Sequence, residues 1–500
     1  MNGDVRSARK IMKSFYKEPF AYLVAQAIAC TLIVTALVGV EGQFAGDAKS
    51  YVYFNWNSLP EILSQSRTFG YPLILRALMH FSPDLTFLPQ LQVILYCISA
   101  LVFYAALRAF GISKWPAFIA ASLLFYQRHV LEWPAGTVSD FPALAFAIVS
   151  ISFLLLVVSD PRRGKHWAGL TLFVFLTYQI RPSYLFLLAL FPILGPALLL
   201  LCSTRQDFSA HAKKLCLGLL LAVLVPYIAF CSFRWAVVSH FGLVSFGSLN
   251  ICGITSQFMD RDMVKGFDPD LRRLATAMIE ARDKRGLTPP GGRPWWPMVC
   301  FEETYNRLLR EVVIVPTLRF LANQSDAETP DEREVSSLTA EESAPLDHWA
   351  QRIAIATIKA RPGTYLRYYL QSFVYQISFT FYVNVTVTAL LLLVVLLYFT
   401  RLLARIFRNG SCMPRPMLAE PDYIVLNAMV FLSLTFFLAK IAFCNIAVPT
   451  IGRYLSAASV FVPGALALCA FVLLGGSVAG VSRTSAVEKA ASGCKTPRGT

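Results

Sequence analysis

Of the chain's 500 residues, 56% are hydrophobic and only 15% are charged, where soluble globular proteins carry about a quarter charged residues. The apolar residues gather in blocks near or at bilayer length, which excludes a soluble enzyme and marks a polytopic membrane protein. The net charge of +15 does not mark a nucleic-acid partner. The positive residues sit in short segments between apolar blocks, the distribution of the positive-inside rule and not of a basic groove.

In chain order, Arg6, Arg9, Lys10, Lys13 and Lys17 precede the first apolar run. No clear small-residue cleavage site follows near Gly39–Gly46, so the run reads as an uncleaved first span. Apolar blocks fall near 20–40, 87–107, 112–127, 138–158, 167–180, 184–201, 215–236, 371–399, 421–443 and 455–477. An amino terminus in the cytoplasm puts Arg108, Lys114, Arg162, Arg163, Lys213, Lys214, Arg401 and Arg405 in inner loops. The outer loops keep few cations, among them Lys49, Arg67, Arg128, Arg181 and Arg453. The asymmetry predicts an all-α integral membrane protein of about ten transmembrane helices with both termini cytoplasmic.

The organisation expected is a transmembrane module over 1–236 with a first outer loop at 41–86, a large outer segment at 237–370, spans over 371–477, and a cytoplasmic tail at 478–500. Within the first loop, the apolar face of residues 60–82 suits a helix lying along the outer interface. In the large segment, Asp268-Pro269 marks a helix start, and 325–347 is acidic, poor in aromatics and expected to be mobile. Cys252 and Cys300 share that segment and have the option of a disulfide in an oxidising compartment. Trp295 and Trp296 read more readily as interface anchors than as a sugar-stacking pair.

Two blocks, 112–127 and 167–180, are short for a bilayer of about 30 Å at about 1.5 Å per residue, and each stops at an arginine, Arg128 and Arg181. Short helices can end in a water-filled cavity that tolerates an arginine, and snorkelling toward headgroups is the competing account of Arg128. For Arg181, Pro182 starts the next helix at once, leaving almost no loop and directing the charge inward. Asp47, in GDAKSY just past the first span, is the acid of interest in the first loop. Asp140, in TVSDFPAL, has an ordinary reading as a first-turn helix acid. Together Asp47, Arg67, Arg181 and Arg453 map to one membrane face. Arginine forks match phosphate geometry and stay charged when partly desolvated. A carboxylate beside them suits transfer from a lipid phosphate, with the acid deprotonating an acceptor hydroxyl. The histidines share no metal-ligand spacing, and the serines form no triad pattern.

GDAKSY, RTFGYP (67–72), the acid of TVSDF, the Arg-Pro of QIRPSYL and the late GRYLSAA together resemble the GT-C membrane glycosyltransferases. More narrowly, they are similar to bacterial relatives of protein O-mannosyltransferases and lipid A aminoarabinose transferases. The resemblance covers spans one to six and one motif of the last span, and gives no signature for 237–370. It implies a GT-C fold in the bacterial inner membrane and inverting transfer of a sugar from a polyprenyl-phosphate donor to a glycan, lipid or protein acceptor hydroxyl on the periplasmic face. It implies that Asp47 is the catalytic acid/base, that Asp140 matches a second acidic position, and that Arg67 and Tyr71 shape the donor site. Arg181 and Arg453 would then contact the polyprenyl phosphate, with Tyr51 and Tyr454 as further substrate contacts. Many relatives pair Asp with Glu in the first loop, whereas here Ala48 follows Asp47. That departure argues against a paired-carboxylate metal site, so no cofactor is assigned and a divalent cation stays open. The alternatives are a flippase or transporter of lipid-linked saccharides and an O-antigen ligase or polymerase.

Overall fold

The computed structural model describes residues 19–44, 48–202, 208–244, 247–288, 301–322, 340–408, 420–447 and 452–479. Their regular structure is helical, with two isolated backbone bridges, Gln43 to Gly136 and Ile112 to Ala479. Among them, seven helices are long and apolar enough to cross a membrane: 19–38, 88–109, 140–159, 182–201, 211–238, 385–403 and 422–447. A bent pair, Gly452–Ala458 and Val462–Leu473, makes an eighth if counted as one span. The chain is a multi-pass membrane protein with an all-α fold.

The helix Asp140–Ser159 is the pillar of the bundle, packed between Leu88–Ala109 and Gly164–Ile180. Its Ala143, Ala145, Ala147, Ser150 and Ser152 are buried. Small residues of this kind let neighbouring backbones approach where no hydrophobic force separates helix from lipid. Ser150 Oγ meets Thr177 Oγ1 of the next helix at 3.2 Å. The outer helices expose their apolar side chains instead, as at Ile28, Leu32, Leu392 and Leu396, which is the pattern of a lipid-facing surface.

The expected span 112–127 folds differently. It is a nine-residue helix, Lys114–Ser122, about 13 Å long at 1.5 Å per residue, followed by irregular chain and the short helix Arg128–Glu132. Carbonyls set free inside a bilayer need partners, and buried side chains of Leu88–Ala109 supply them. Tyr96 Oη donates to Leu124 O at 3.0 Å, and Gln92 Nε2 donates to Pro134 O at 2.9 Å and Gly136 O at 3.2 Å. Gln127 adds a bond to Val460 O at 2.8 Å. Arg128 is exposed and pairs with Glu132 one turn on. The block at 371–399 is also divided: Pro362–Val383 and Val385–Arg408 meet at Asn384, whose Nδ2 donates to Ser459 Oγ at 2.9 Å.

A second hydrophobic cluster is built from 247–368 and is separate from that of the bundle. Its helix Pro269–Lys284 starts as expected: Pro269 stands at the first position, and Asp268 Oδ1 accepts from Leu271 N at 3.0 Å. Leu271, Leu274, Ala275, Met278 and Ile279 form the buried stripe, the spacing of an amphipathic helix. Arg282, on the same stripe, donates to Ser256 O and Met259 O, each at 2.8 Å. The helix Ala340–Ala360 begins within the acidic stretch 325–347, and residues 323–339 lie outside the described set. So do Trp295, Trp296 and Cys300, while Cys252 is a buried free thiol whose pKa burial pushes up. The cluster meets the bundle where Gly247–Thr255 packs on Glu420–Ala447 and where Ala340–Ala360 packs on Leu59–Ser64. Near that seam Arg234, fully buried, donates to Leu63 O at 2.6 Å and Gly242 O at 3.0 Å.

Candidate active site

Where the surface helix was expected across 60–82, there are two, Leu59–Ser64 and Gly70–Met79. The break between them carries Arg67 and Thr68 to a cavity of about 600 Å³. Gly70 explains where the second helix stops its approach. A Cβ on Gly70 would lie 2.5 Å from the carbonyl of Gln179 and 2.7 Å from Ile180 N, so only glycine lets this backbone touch the last turn of the helix leading into Arg181. Gly70→Ala is expected to cost about 1–3 kcal/mol by forced separation. Thermal unfolding in detergent measures it, and ligand affinity should fall with it because Arg181 moves.

Arg181 itself is aimed by its neighbour. The residue before a proline is driven to extended backbone, and Arg181 takes φ −149 and ψ 113 at the end of Gly164–Ile180. That conformation turns the side chain off the helix and under the first turn of Asp140–Ser159. Its Nε lies 3.0 Å from Asp140 Oδ1. One terminal nitrogen donates to Ser139 Oγ and the other to Tyr454 Oη, both at 2.8 Å. Arg453, from the helix Gly452–Ala458, brings a terminal nitrogen to 3.7 Å from Asp140 Oδ2. Asp140 is 3% exposed, with one oxygen toward each guanidinium. A carboxylate held this way orients its arginines, and it is absent from the described lining of the cavity.

The remaining expected residues arrange themselves around this pair. Arg67 Nε donates to Ser50 Oγ at 3.1 Å, and its guanidinium lies 5.2 Å from the centroid of the Tyr51 ring. Tyr51 Oη meets Ser139 Oγ at 3.1 Å. Tyr71 supports Tyr51 from beneath, edge to face at 5.0 Å. It is fully buried and outside the lining, and burial, with Tyr51 and Asp140 nearby, raises its phenol well above the ordinary value. Arg67, Arg181, Arg453, Tyr51 and Tyr454 all line the one cavity. Asp47 lies outside the described residues; the helix Ala48–Val52, whose Ser50 and Tyr51 take part in the site, begins one residue after it.

Three arginines against Asp140 leave two positive charges in excess among these residues. A fourth cation was not anticipated: Lys440 is 1% exposed, with Nζ 3.6 Å from the centroid of the Tyr184 ring. It stands one helical turn from Cys444, which lines the cavity. The signal was there to read, a lone lysine within FFLAKIAF, since an ionisable residue inside a span is a functional candidate by default. The segment of the second cluster also contributes to the lining, with Asn250, Asn306 and the cluster member Tyr305. Among the described residues no three His, Cys, Asp or Glu side chains gather as metal ligands.

No family model and no curated protein matches the chain. Among solved structures, it is similar to one described as the crystal structure of ArnT from Cupriavidus metallidurans bound to undecaprenyl phosphate. The identity is 12%, over 90% of this chain and 77% of that one, with a TM-score of 0.30.

Proposed function

We propose that the protein is a membrane glycosyltransferase that takes a sugar from a polyprenyl-phosphate donor and passes it to an acceptor hydroxyl on the outer face of a bacterial inner membrane. The observation that carries this reading is the convergence of Arg67, Arg181 and Arg453, from three distant parts of the sequence, on one cavity. In the reaction the acceptor oxygen attacks the anomeric carbon and its proton passes to the Asp47 carboxylate. The bond from that carbon to the phosphate oxygen breaks with inversion, and the electron pair leaves on the phosphate. The lipid phosphate gains a negative charge as it departs, so fixed guanidinium groups stabilise the transition state more than the bound donor. Asp140 serves this chemistry by holding two of them in place.

The test is release of undecaprenyl phosphate from an undecaprenyl-phosphate hexose by the purified protein, with envelope lipids and glycans offered as acceptors. Movement of the intact donor across reconstituted vesicles without sugar transfer would favour a transporter instead.

A further inference from the structure

The cavity has two chemically different walls. One holds the three guanidinium groups; the other, contributed by residues 247–309, carries Asn250, Tyr305 and Asn306 as its neutral polar groups, beside Gly247 and Leu309. The neutral wall is a constructed feature. Tyr305 is 4% exposed and its hydroxyl donates to Asn250 Oδ1 at 2.7 Å. Its ring lies against Gly253, where an added Cβ would meet Tyr305 Cε2 at 3.1 Å. Asn250 and Gly253 are three residues apart on the helix Gly247–Thr255 and so share one face. Gly253 seats the ring, and the hydroxyl fixes which way the Asn250 amide is turned. Asp347 Oδ1 accepts from Ser248 N at 3.0 Å and pins the start of that helix to Ala340–Ala360.

We infer that Asn250 and Tyr305 form the recognition site for the sugar of the donor, and that this sugar is an uncharged, hydroxyl-rich one. The inference rests on the function proposed above and concerns the same cavity. Amide and phenol groups both donate and accept, which suits sugar hydroxyls that do the same. The guanidinium groups lining the same cavity take the phosphate and repel an ammonium on the sugar ring. A site built to hydrogen-bond hydroxyls discriminates against a ligand lacking them, because its own polar groups then lose their partners. Asn250 and Tyr305 touch the sugar without entering the bond exchange, so they govern donor affinity and choice.

The experiment is direct binding to the full-length purified protein of three lipids: undecaprenyl phosphate, undecaprenyl phosphate bearing a neutral hexose, and undecaprenyl phosphate bearing an amino sugar. The wild type is expected to bind the hexose-bearing lipid about tenfold more tightly than the sugarless one, and the amino sugar no better than the sugarless lipid. Tyr305→Phe keeps the ring on Gly253 and removes only the hydroxyl; Asn250→Ala removes the amide. Each should lose about three- to tenfold of the hexose advantage, the effect of one neutral hydrogen bond, with sugarless binding retained. Equal wild-type binding of the sugarless and hexose-bearing lipids would overturn this inference alone, as would variants that keep the full hexose advantage or a wild type that prefers the amino sugar. Failure of the wild type to bind even the sugarless lipid would overturn the proposed function and this inference with it.

Discussion

Arg181→Lys is expected to weaken binding of a polyprenyl-phosphate donor by about 10–100-fold while leaving the protein folded. Lysine keeps the charge and loses the planar fork, and a hydrogen bond to a charged group is worth about 1.5–3 kcal/mol. The substitution gives up a geometry in which one guanidinium reaches Asp140, Ser139 and Tyr454 together. Truncation to alanine is the poorer test, since removing one partner of a buried ion pair costs about 3–5 kcal/mol through the charge left behind. Donor affinity and the thermal midpoint, measured on the same preparation, separate the two effects. Unchanged affinity would return Arg181 to the role of a brace for Asp140.

Asp47→Asn is expected to lower turnover by about 10²–10⁴-fold, the range for losing a general base, with donor affinity nearly preserved. Asp140→Asn should behave in the opposite way. Asp140 is buried between Arg181 and Arg453, so losing its charge loosens both, raising KM more than it lowers kcat. The pair of variants separates an acid that moves a proton from one that positions cations. Turnover like the wild type in Asp47→Asn would remove that residue from the mechanism, and a pure kcat defect in Asp140→Asn would promote Asp140 to the chemistry.

What could be read from the amino acids followed the strength of local signals. Apolar blocks gave the membrane helices because bilayer length leaves few alternatives, and arginines beside such blocks stood out because charge there is costly. Pro182 pointed to an inward-facing Arg181 because it starts the next helix at once and leaves almost no loop, and the ion pair with Asp140 bears that out. The broken crossing after Ser122 was hidden because what sustains it lies elsewhere, in Gln92 and Tyr96, 28 to 44 residues away from the carbonyls they serve. The break at Arg67 depends on Gly70 touching the backbone of Gln179, a contact no local pattern encodes. Asn250 and Tyr305 sit 55 positions apart in stretches without any motif. Their partnership exists only once the second cluster has folded.

The cavity takes its arginines from the first loop, the end of Gly164–Ile180 and the helix Gly452–Ala458, and its amide and phenol groups from the segment 247–368. Substitutions at well-separated sites that share no partners act nearly independently. The two sets come from separately packed clusters, so on the proposed function one could vary while the other is inherited. On that same function, drift around Asn250, Gly253 and Tyr305 would change the sugar admitted while the phosphate contacts are kept. Diversification should accordingly be fast in the satellite cluster and slow at RTFGYP, QIRP and GRY.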